Sequence, residues 1–313
     1  MESGFDRAVS DGGLVAIERE SDTGDAQAGL DALSELGPDA ILSFTLNTDV
    51  GHTAAQHPEI TYVRMDQGGE ALENVLYLRF ADEQGAFLAG VVAAMQTQTG
   101  RIGFIGGVDI PVIWRFQAGF QAGVAAIDPQ VQVLTAYLAA PPDFDGFVRP
   151  DLAEAAAVDL FDQDVDVIFQ AAGESGNGVF EAASTMSDVV GRHLWVIGVD
   201  TDQYQTVGGV RAREWQTHIL TSMVKRIDHA VYDVVTDIAG GRFTPGTRVL
   251  DLESGAMEMA YTGGRIDAAR ATVERVQHAI VSGEISVPCV PADRAAQAAA
   301  LGISSESCAD SPG

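Results

Sequence analysis

The chain has 313 residues, of which 46% are hydrophobic, and this length and composition predict a folded protein of two lobes. Its 45 acidic residues outnumber its 18 basic residues and give a formal net charge of −27 at pH 7. Such a charge disfavours nucleic acid as a partner, because a phosphate backbone is bound by clustered lysines and arginines. Residues 85–95 form the longest apolar stretch, which is too short to span a membrane and predicts a buried helix.

Short apolar runs alternate with helical patterns after an amphipathic helix predicted at residues 1–10. Strands are predicted at residues 14–18, 40–44, 61–65, 75–80, 101–105, 132–138, 165–170 and 195–199, with a return segment at 248–261. Further helices are predicted at residues 26–36, 83–95, 113–126, 150–161, 178–187, 222–239 and 266–282. This order is typical of parallel sheets covered by helices on both faces. Because such folds ordinarily begin with a strand, a first strand is predicted upstream of Met1.

The two cysteines, Cys289 and Cys308, both lie in the C-terminal tail with eighteen residues between them. Their spacing predicts a disulfide in an oxidising compartment, and two free thiols are the alternative. No cysteine or histidine pair has the spacing of metal ligands, so neither a metal ion nor a cofactor is predicted.

Aspartates follow three of the predicted strands. Asp66, Asp109 and Asp200 come after the strands at residues 61–65, 101–105 and 195–199. Ligands of parallel sheets bind beyond the carboxyl ends of the strands, and a carboxylate can accept hydrogen bonds from a vicinal diol. Each aspartate alone is more often a helix cap or a turn residue. Together they favour an uncharged sugar or polyol over an anion.

Lys225 is the only lysine, and the other basic side chains are seventeen arginines. An ammonium is a compact charge that grips a small hydroxyl differently from a planar guanidinium. Codon bias is an alternative reason for a single lysine, but Thr221 and Ser222 place further polar groups nearby. The glycine-rich turns at residues 103–107 and 173–178 match no phosphate loop, and Glu174 would repel a phosphate. A neutral polar ligand is therefore predicted.

The chain resembles the basic membrane protein family over residues 4–287. The motifs that carry this resemblance are EQGAFLAG at 83–90, GFIGGVDIP at 103–111, FQAGF at 116–120, DVIFQAAG at 166–173, GVDTDQ at 198–203 and TSMVK at 221–225. Members of this family are extracytoplasmic, usually lipid-anchored solute-binding proteins of ABC importers, related to purine nucleoside receptors.

The resemblance implies a type I periplasmic-binding-protein-like α/β fold, with two doubly wound parallel-sheet lobes and a three-crossover hinge. The crossovers are expected near 80–82, Thr221 and 247–249. The N-terminal lobe would comprise residues 1–81 with 222–246, and the C-terminal lobe residues 82–221 with 247–287. Residues 288–313 would form a tail.

The resemblance also assigns roles to single residues. Asp200 and Lys225 would bind ribose hydroxyls, Asp66 would contact the ligand from the opposite lobe, and Gly173 would offer its backbone. Phe44, Trp114 and Phe169 are either aromatic platforms for a base or parts of the core, and Asp109 joins the ligand-binding set. The family's loop before the first helix also contributes to the site, and in this protein it would lie upstream of Met1.

The expected function is capture of a nucleoside, preferably a purine nucleoside, and its delivery to the permease subunits of an ABC importer. The protein is not expected to be an enzyme, because no nucleophile and base stand at a recognisable spacing. Contact with the membrane is expected only through an anchor upstream of Met1. The alternatives are a sugar or other small-metabolite binding protein, or a ligand-sensing regulator of the same fold, although no DNA-binding module is visible.

Overall fold

A computed structural model describes residues 2–18 and 26–303 of the chain. Its strands are β1 (Ala40–Ser43), β2 (Thr61–Met65), β3 (Val75–Phe80), β4 (Arg101–Val108), β5 (Gln132–Ala139), β6 (Val167–Ala171), β7 (Trp195–Asp200), β8 (Ile219–Lys225), β9 (Gly246–Leu250) and β10 (Met257–Met259).

The helices lie between these strands and at both ends of the described chain. They are α1 (Glu2–Gly12), α2 (Ala26–Ser34), α3 (Val50–Gln56), α4 (Asp82–Gln96), α5 (Pro111–Ile127), α6 (Pro150–Phe161), α7 (Gly176–Val190), α8 (Gln203–Thr206), α9 (Ala212–His218), α10 (Ile227–Ala239), α11 (Arg270–Val281) and α12 (Ala295–Ala300). Across residues 2–18 and 26–303, no helix is both long enough and apolar enough to cross a bilayer.

The first lobe contains a parallel sheet in the order β1-β2-β3-β9. Every residue of β3 is buried, which is typical of a parallel strand covered on both faces. Tyr62 and Tyr77 pack in a core with residues of α2 and α3, whereas Val63 and Leu78 belong to the core that includes α1 and α10. Side chains therefore alternate between two covered faces, as the period of a strand requires.

The second lobe contains a sheet in the order β10-β8-β7-β6-β4-β5, parallel except for the antiparallel pair of β10 and β8. Helices α4 and α5 pack against each other through glycines of α5. A Cβ at Gly119 would lie 2.0 Å from the carbonyl oxygen of Glu83, and one at Gly123 would lie 2.0 Å from that of Phe87. Glycine is needed at both positions because the two helices approach so closely.

Strand pairing moves two of the three crossing points relative to the prediction. Residues 222–225 extend β8 in the second lobe, where Val224 pairs with Asp200. Residues 247–250 belong to β9 in the first lobe, where Leu250 pairs with Phe80. The chain thus crosses between the sheets after Phe80, after Lys225 and after Leu250, so the predicted lobe limits at 221 and 246 are each corrected by four residues.

The predicted strand at residues 14–18 is not formed. These residues pair with no strand, and the side chains of Val15 and Ile17 are 95% and 61% exposed. A strand requires a hydrogen-bonded neighbour, and β1 ends its sheet with no strand beyond it in the described part of the chain. The β propensity of residues 14–18 therefore does not lead to a strand.

Residues 288–303 of the predicted tail pack against the second lobe. Val290, Ala298 and Ile303 form a buried cluster with Trp114 of α5. Cys289 is buried, and Cys308 lies outside the described residues, so their pairing stays a prediction.

Candidate functional site

The two lobes meet at an ion pair between Lys225 and Asp66. Lys225 ends β8 of the second lobe, and Asp66 directly follows β2 of the first. The ammonium nitrogen Nζ of Lys225 lies 2.8 Å and 2.9 Å from the two carboxylate oxygens of Asp66. The structure thus brings together two of the predicted ligand-binding residues, and they bind each other across the lobes.

Asp82, at the first crossing between the two sheets, also forms an ion pair with Lys225. Its Oδ1 lies 3.2 Å from Nζ of Lys225, and its Oδ2 accepts a hydrogen bond of 3.1 Å from Nη2 of Arg115. Arg115 also donates to the backbone carbonyl of Asp66 at 3.3 Å. The ring of Phe80 lies 4.6 Å from Nζ, close enough for a cation–π contact. The position of the ammonium is therefore fixed from several directions.

Burial and neighbouring charges act against each other at these groups. Burial opposes the charge of Lys225, but Asp66, Asp82 and Asp200 together raise its pKa above the usual value. Burial raises the pKa of Asp200 to about 6, although Lys225 acts in the opposite direction. Lys225 is therefore charged at neutral pH, whereas Asp200 changes its charge near pH 6.

Asp66 and Asp200 both adopt left-handed backbone conformations, with φ of 62° and 64°. This region is uncommon for residues other than glycine, and aspartate is among the residues that tolerate it. Both residues lie at the carboxyl end of a strand, where the turn directs the chain out of the sheet. Such backbone strain is concentrated at binding and catalytic sites, which supports a ligand site at this edge.

A cavity of about 290 Å³ opens at the carboxyl ends of β6 and β7. This volume lies near the lower end of the range for small-molecule sites, about 300 to 1,000 Å³. Its lining combines carboxylates, amides, hydroxyls and small apolar groups from Gly173, Glu174, Asn177, Val199, Asp200, Thr201, Gln203, Thr206, Val207 and Gly208. Two predicted site residues, Gly173 and Asp200, thus line one cavity.

Gln203 organises the wall of this cavity. Its Oε1 accepts hydrogen bonds from Nε2 of Gln170 at 2.8 Å and from the backbone N–H of Val199 at 3.0 Å. Its own backbone N–H donates to the hydroxyl of Ser222 at 3.0 Å. These contacts tie the segment after β7 to β6 and β8. The wall of the cavity is therefore connected to β6, β7 and β8.

Six of the eight predicted site residues do not line the cavity. Asp66, Lys225 and Phe44 lie outside its lining, and the other three, Asp109, Trp114 and Phe169, make different contacts. Trp114 is 1% exposed, and its indole N–H donates to Asp109 at 2.6 Å. Asp109 also accepts a hydrogen bond of 3.0 Å from Nε of Arg294, a residue of the C-terminal tail. Phe169 is fully buried, with its ring centroid 5.1 Å from that of Phe120. Asp109 and Trp114 hold the tail, and Phe169 belongs to the core.

Phe44 remains available to a ligand. It follows β1 at the carboxyl edge of the first sheet and is 37% exposed.

Sequence reasoning missed Asp82, Arg115 and Gln203. The available signal was the acidic pair at the start of α4, because carboxylates in an otherwise apolar helix require buried cations.

Comparison with known proteins gives a match over most of the chain. The family model described as Bmp, ABC transporter substrate-binding protein PnrA-like, matches residues 16–290. A CD4+ T-cell-stimulating antigen of Listeria monocytogenes serovar 1/2a is 36% identical over 255 residues, which cover 80% of this chain and 70% of that protein. The ABC transporter nucleoside-binding protein BmpA of Lactococcus lactis subsp. cremoris is 30% identical over 252 residues, covering 79% and 70%.

Solved structures show the same architecture. An ABC transporter system solute-binding protein from Aeropyrum pernix K1 superposes with a TM-score of 0.76 at 25% identity, covering 93% of this chain and 88% of that one. A sugar transporter from Clostridium phytofermentans, at 16% identity and a TM-score of 0.60, shares the fold alone. The predicted fold of two parallel-sheet lobes is confirmed.

Proposed function

This chain belongs to the Bmp family of PnrA-like ABC transporter substrate-binding proteins, and from that membership we propose that its ligand is a purine nucleoside held between the two lobes. Proteins of this family are extracytoplasmic and bind substrates for ABC transporters, so the chain is a binding protein rather than an enzyme. Its ligand and its permease are the partners that this role implies.

The observation that carries the nucleoside proposal is the group of polar side chains beside the cavity. Asp200 lines the cavity at the end of β7, and Val224, next to Lys225, pairs with it. The two oxygens of a carboxylate can accept hydrogen bonds from both hydroxyls of a diol, and an ammonium can donate to them. A ribose has such a diol, whereas a free base does not.

Two further points support the proposal. The relative from Lactococcus lactis carries nucleoside binding in its name. The exposed ring of Phe44 at the edge of the first sheet offers a flat apolar surface for a base. Stacking of a base on an aromatic side chain contributes about 1 to 3 kcal/mol by analogy with nucleic-acid binding.

We also propose that the protein is held at the outer face of the membrane by a lipid anchor. The support for this anchor is the family resemblance. Closure of the lobes over the ligand would then present one defined shape to the permease.

A thermal-shift screen in high salt tests the nucleoside proposal. The ligands are inosine, guanosine, adenosine, hypoxanthine and ribose. A ligand that binds only the folded state raises the melting temperature by mass action. We expect inosine, guanosine or adenosine to raise it, and ribose to leave it unchanged. A shift with ribose but with no nucleoside would favour a sugar-binding protein, and no shift with any nucleoside would refute the proposal.

A further inference from the structure

Arg64 is a buried cation at the edge of the first lobe that the ion pairs of the site do not use. It lies in β2, two residues before Asp66, and is 2% exposed. Its guanidinium donates to the hydroxyl oxygen of Ser43 at 3.2 Å, to that of Thr48, and to Oε1 of Gln67. All of these acceptors are neutral, and within residues 2–18 and 26–303 no ion pair joins Arg64 to a carboxylate.

A buried cation without an ion-pair partner is costly to the fold. Burial lowers the pKa of Arg64 to about 10, although Tyr77, Asp66 and Asp49 act in the opposite direction. The guanidinium therefore remains charged at neutral pH. Its positive charge lies below the loops that follow β1 and β2, at the same sheet edge as Asp66.

The hydroxyls above Arg64 contact one another. Ser43 and Thr45 are 3.2 Å apart at their hydroxyl oxygens, and Thr45 and Thr48 are 3.0 Å apart. These two contacts use two of the three hydroxyl protons. The remaining proton can take part in contacts of 3.5 Å, either between Thr48 and Ser43 or to the carbonyl of Thr45. Because the oxygens of Ser43 and Thr48 already accept from Arg64, the group has a proton to donate.

The two lobes therefore present different hydrogen-bonding groups to a ligand: acceptors on the second lobe and donors on the first. The cavity of the second lobe has the carboxylates of Asp200 and Glu174, which accept hydrogen bonds from ligand hydroxyls. The hydroxyls supported by Arg64 on the first lobe donate. A ligand with hydroxyls at one end and acceptors at the other would satisfy both.

Resting on the proposed nucleoside ligand, we infer that Arg64, Ser43, Thr45 and Thr48 form a subsite for a neutral acceptor on the base, and that this subsite selects a ring carbonyl over an amino group. An amino group at that place would leave the hydroxyl proton without an acceptor, and an unpaired polar group is what a hydrogen-bonding site discriminates against. A neutral acceptor is favoured over an anion because the neighbouring Asp66 and the net charge of −27 repel negative ligands.

Inosine and adenosine provide the test ligands, since the base of inosine has a ring carbonyl and a neighbouring ring N–H where that of adenosine has an amino group and an unprotonated ring nitrogen. Thr48→Val keeps the shape of the side chain and the charge of Arg64, but removes one hydroxyl. By isothermal titration calorimetry, we expect Thr48→Val to weaken inosine binding about tenfold, as for one lost hydrogen bond, and to change adenosine binding much less. Arg64→Met should reduce the same preference, and Thr61→Val at the start of β2 is the control.

Several outcomes separate this inference from the nucleoside proposal. If Asp200→Asn weakens both nucleosides while Thr48→Val and Arg64→Met leave their ratio unchanged, the nucleoside proposal stands and the subsite is refuted. If Thr48→Val weakens the binding of inosine and adenosine equally, Thr48 has only a structural role, and the subsite is again refuted. If neither nucleoside binds the unmodified protein, both proposals fail.

Discussion

Lys225 illustrates how far a single side chain depends on its surroundings. The residue is 5% exposed, and an isolated ammonium in such a place would tend to lose its proton. Asp66 and Asp82 maintain its charge by direct contact. Removing one partner from a buried ion pair costs about 3 to 5 kcal/mol, because the other charge stays buried. Substitution of Lys225 would therefore alter stability together with binding, which makes Asp200 the better residue for a test.

Asp200→Asn is predicted to stabilise the unliganded protein at neutral pH. The pKa of Asp200 is about 6 in the folded protein, above the value of about 4 for an unfolded chain. Between these values the folded state binds more protons, so stability is gained as the pH falls from about 6 to about 4 and is lost as it rises. Asparagine removes this ionisation. We expect a higher melting temperature for the variant at pH 7, and a smaller difference at pH 4.5.

The control for this measurement is Asp188→Asn, an exposed position on α7. It removes one exposed carboxylate and so shows how much of the change comes from the lower net negative charge alone. Binding of the proposed nucleoside to the unmodified protein should also weaken below about pH 6, since a protonated Asp200 accepts fewer hydrogen bonds. A difference between Asp200→Asn and the unmodified protein that grows as the pH falls would contradict the assignment.

Sequence reasoning found some of these residues and missed others for physical reasons. Asp200 was predicted because it follows a predicted strand, and Lys225 because it is the only lysine and lies close to Thr221 and Ser222 in sequence. Arg115 was missed because its partner Asp82 is distant in sequence and the two meet only when α4 packs on α5. Trp114 was over-interpreted, since nothing in its local sequence shows that the C-terminal tail covers it.

At the level of elements, the contact between α4 and α5 is sensitive to single atoms. Gly123→Ala is predicted to destabilise the protein, because its Cβ would lie 2.0 Å from the backbone carbonyl of Phe87. A backbone atom cannot move aside as a flexible side chain can, so the helices must separate. Overpacking of this kind costs about 1 to 3 kcal/mol. Chemical denaturation of the variant should show this loss as a lower midpoint.

Gly51→Ala in α3 is the matched control for that substitution. A Cβ there would lie 3.6 Å from the hydroxyl of Tyr77, an ordinary contact. Alanine is the better helix former by about 1 kcal/mol, so this variant should be as stable as the unmodified protein or more stable. Equal stability of the two variants would mean that α4 and α5 have room to adjust.

Strands and helices were predicted well where the apolar pattern was long, and less well where the chain crosses from one sheet to the other. The runs that became β2, β3 and β7 begin at the predicted residues, because continuous apolar segments bounded by polar turns leave little choice. Residues 222–225 were assigned to a helix, although they continue β8. Their burial in the sheet depends on pairing with β7 and β10, which local sequence does not reveal.

For the whole molecule, the acidic composition matters more than any single contact. A net charge of −27 on 313 residues creates repulsion that favours expanded states over the compact fold. Buried charged side chains such as Lys225 and Arg115 form ion pairs, so the repulsion arises mainly between exposed carboxylates. Added salt screens exposed charges strongly and buried pairs weakly.

The protein is therefore predicted to become more stable with increasing KCl. The Debye length falls from about 30 Å at 0.01 M to about 3 Å at 1 M, so most of the rise in melting temperature should occur below about 1 M. NaCl at equal concentrations should act equally, because screening depends on ionic strength rather than on the ion. Sucrose is the control, because it is excluded from the protein surface and stabilises folded proteins without screening charge. A rise in melting temperature with KCl at ionic strengths where sucrose has little effect would therefore be due to screening. A melting temperature that is constant or falls over this range of KCl would mean that the excess of carboxylates does not limit stability.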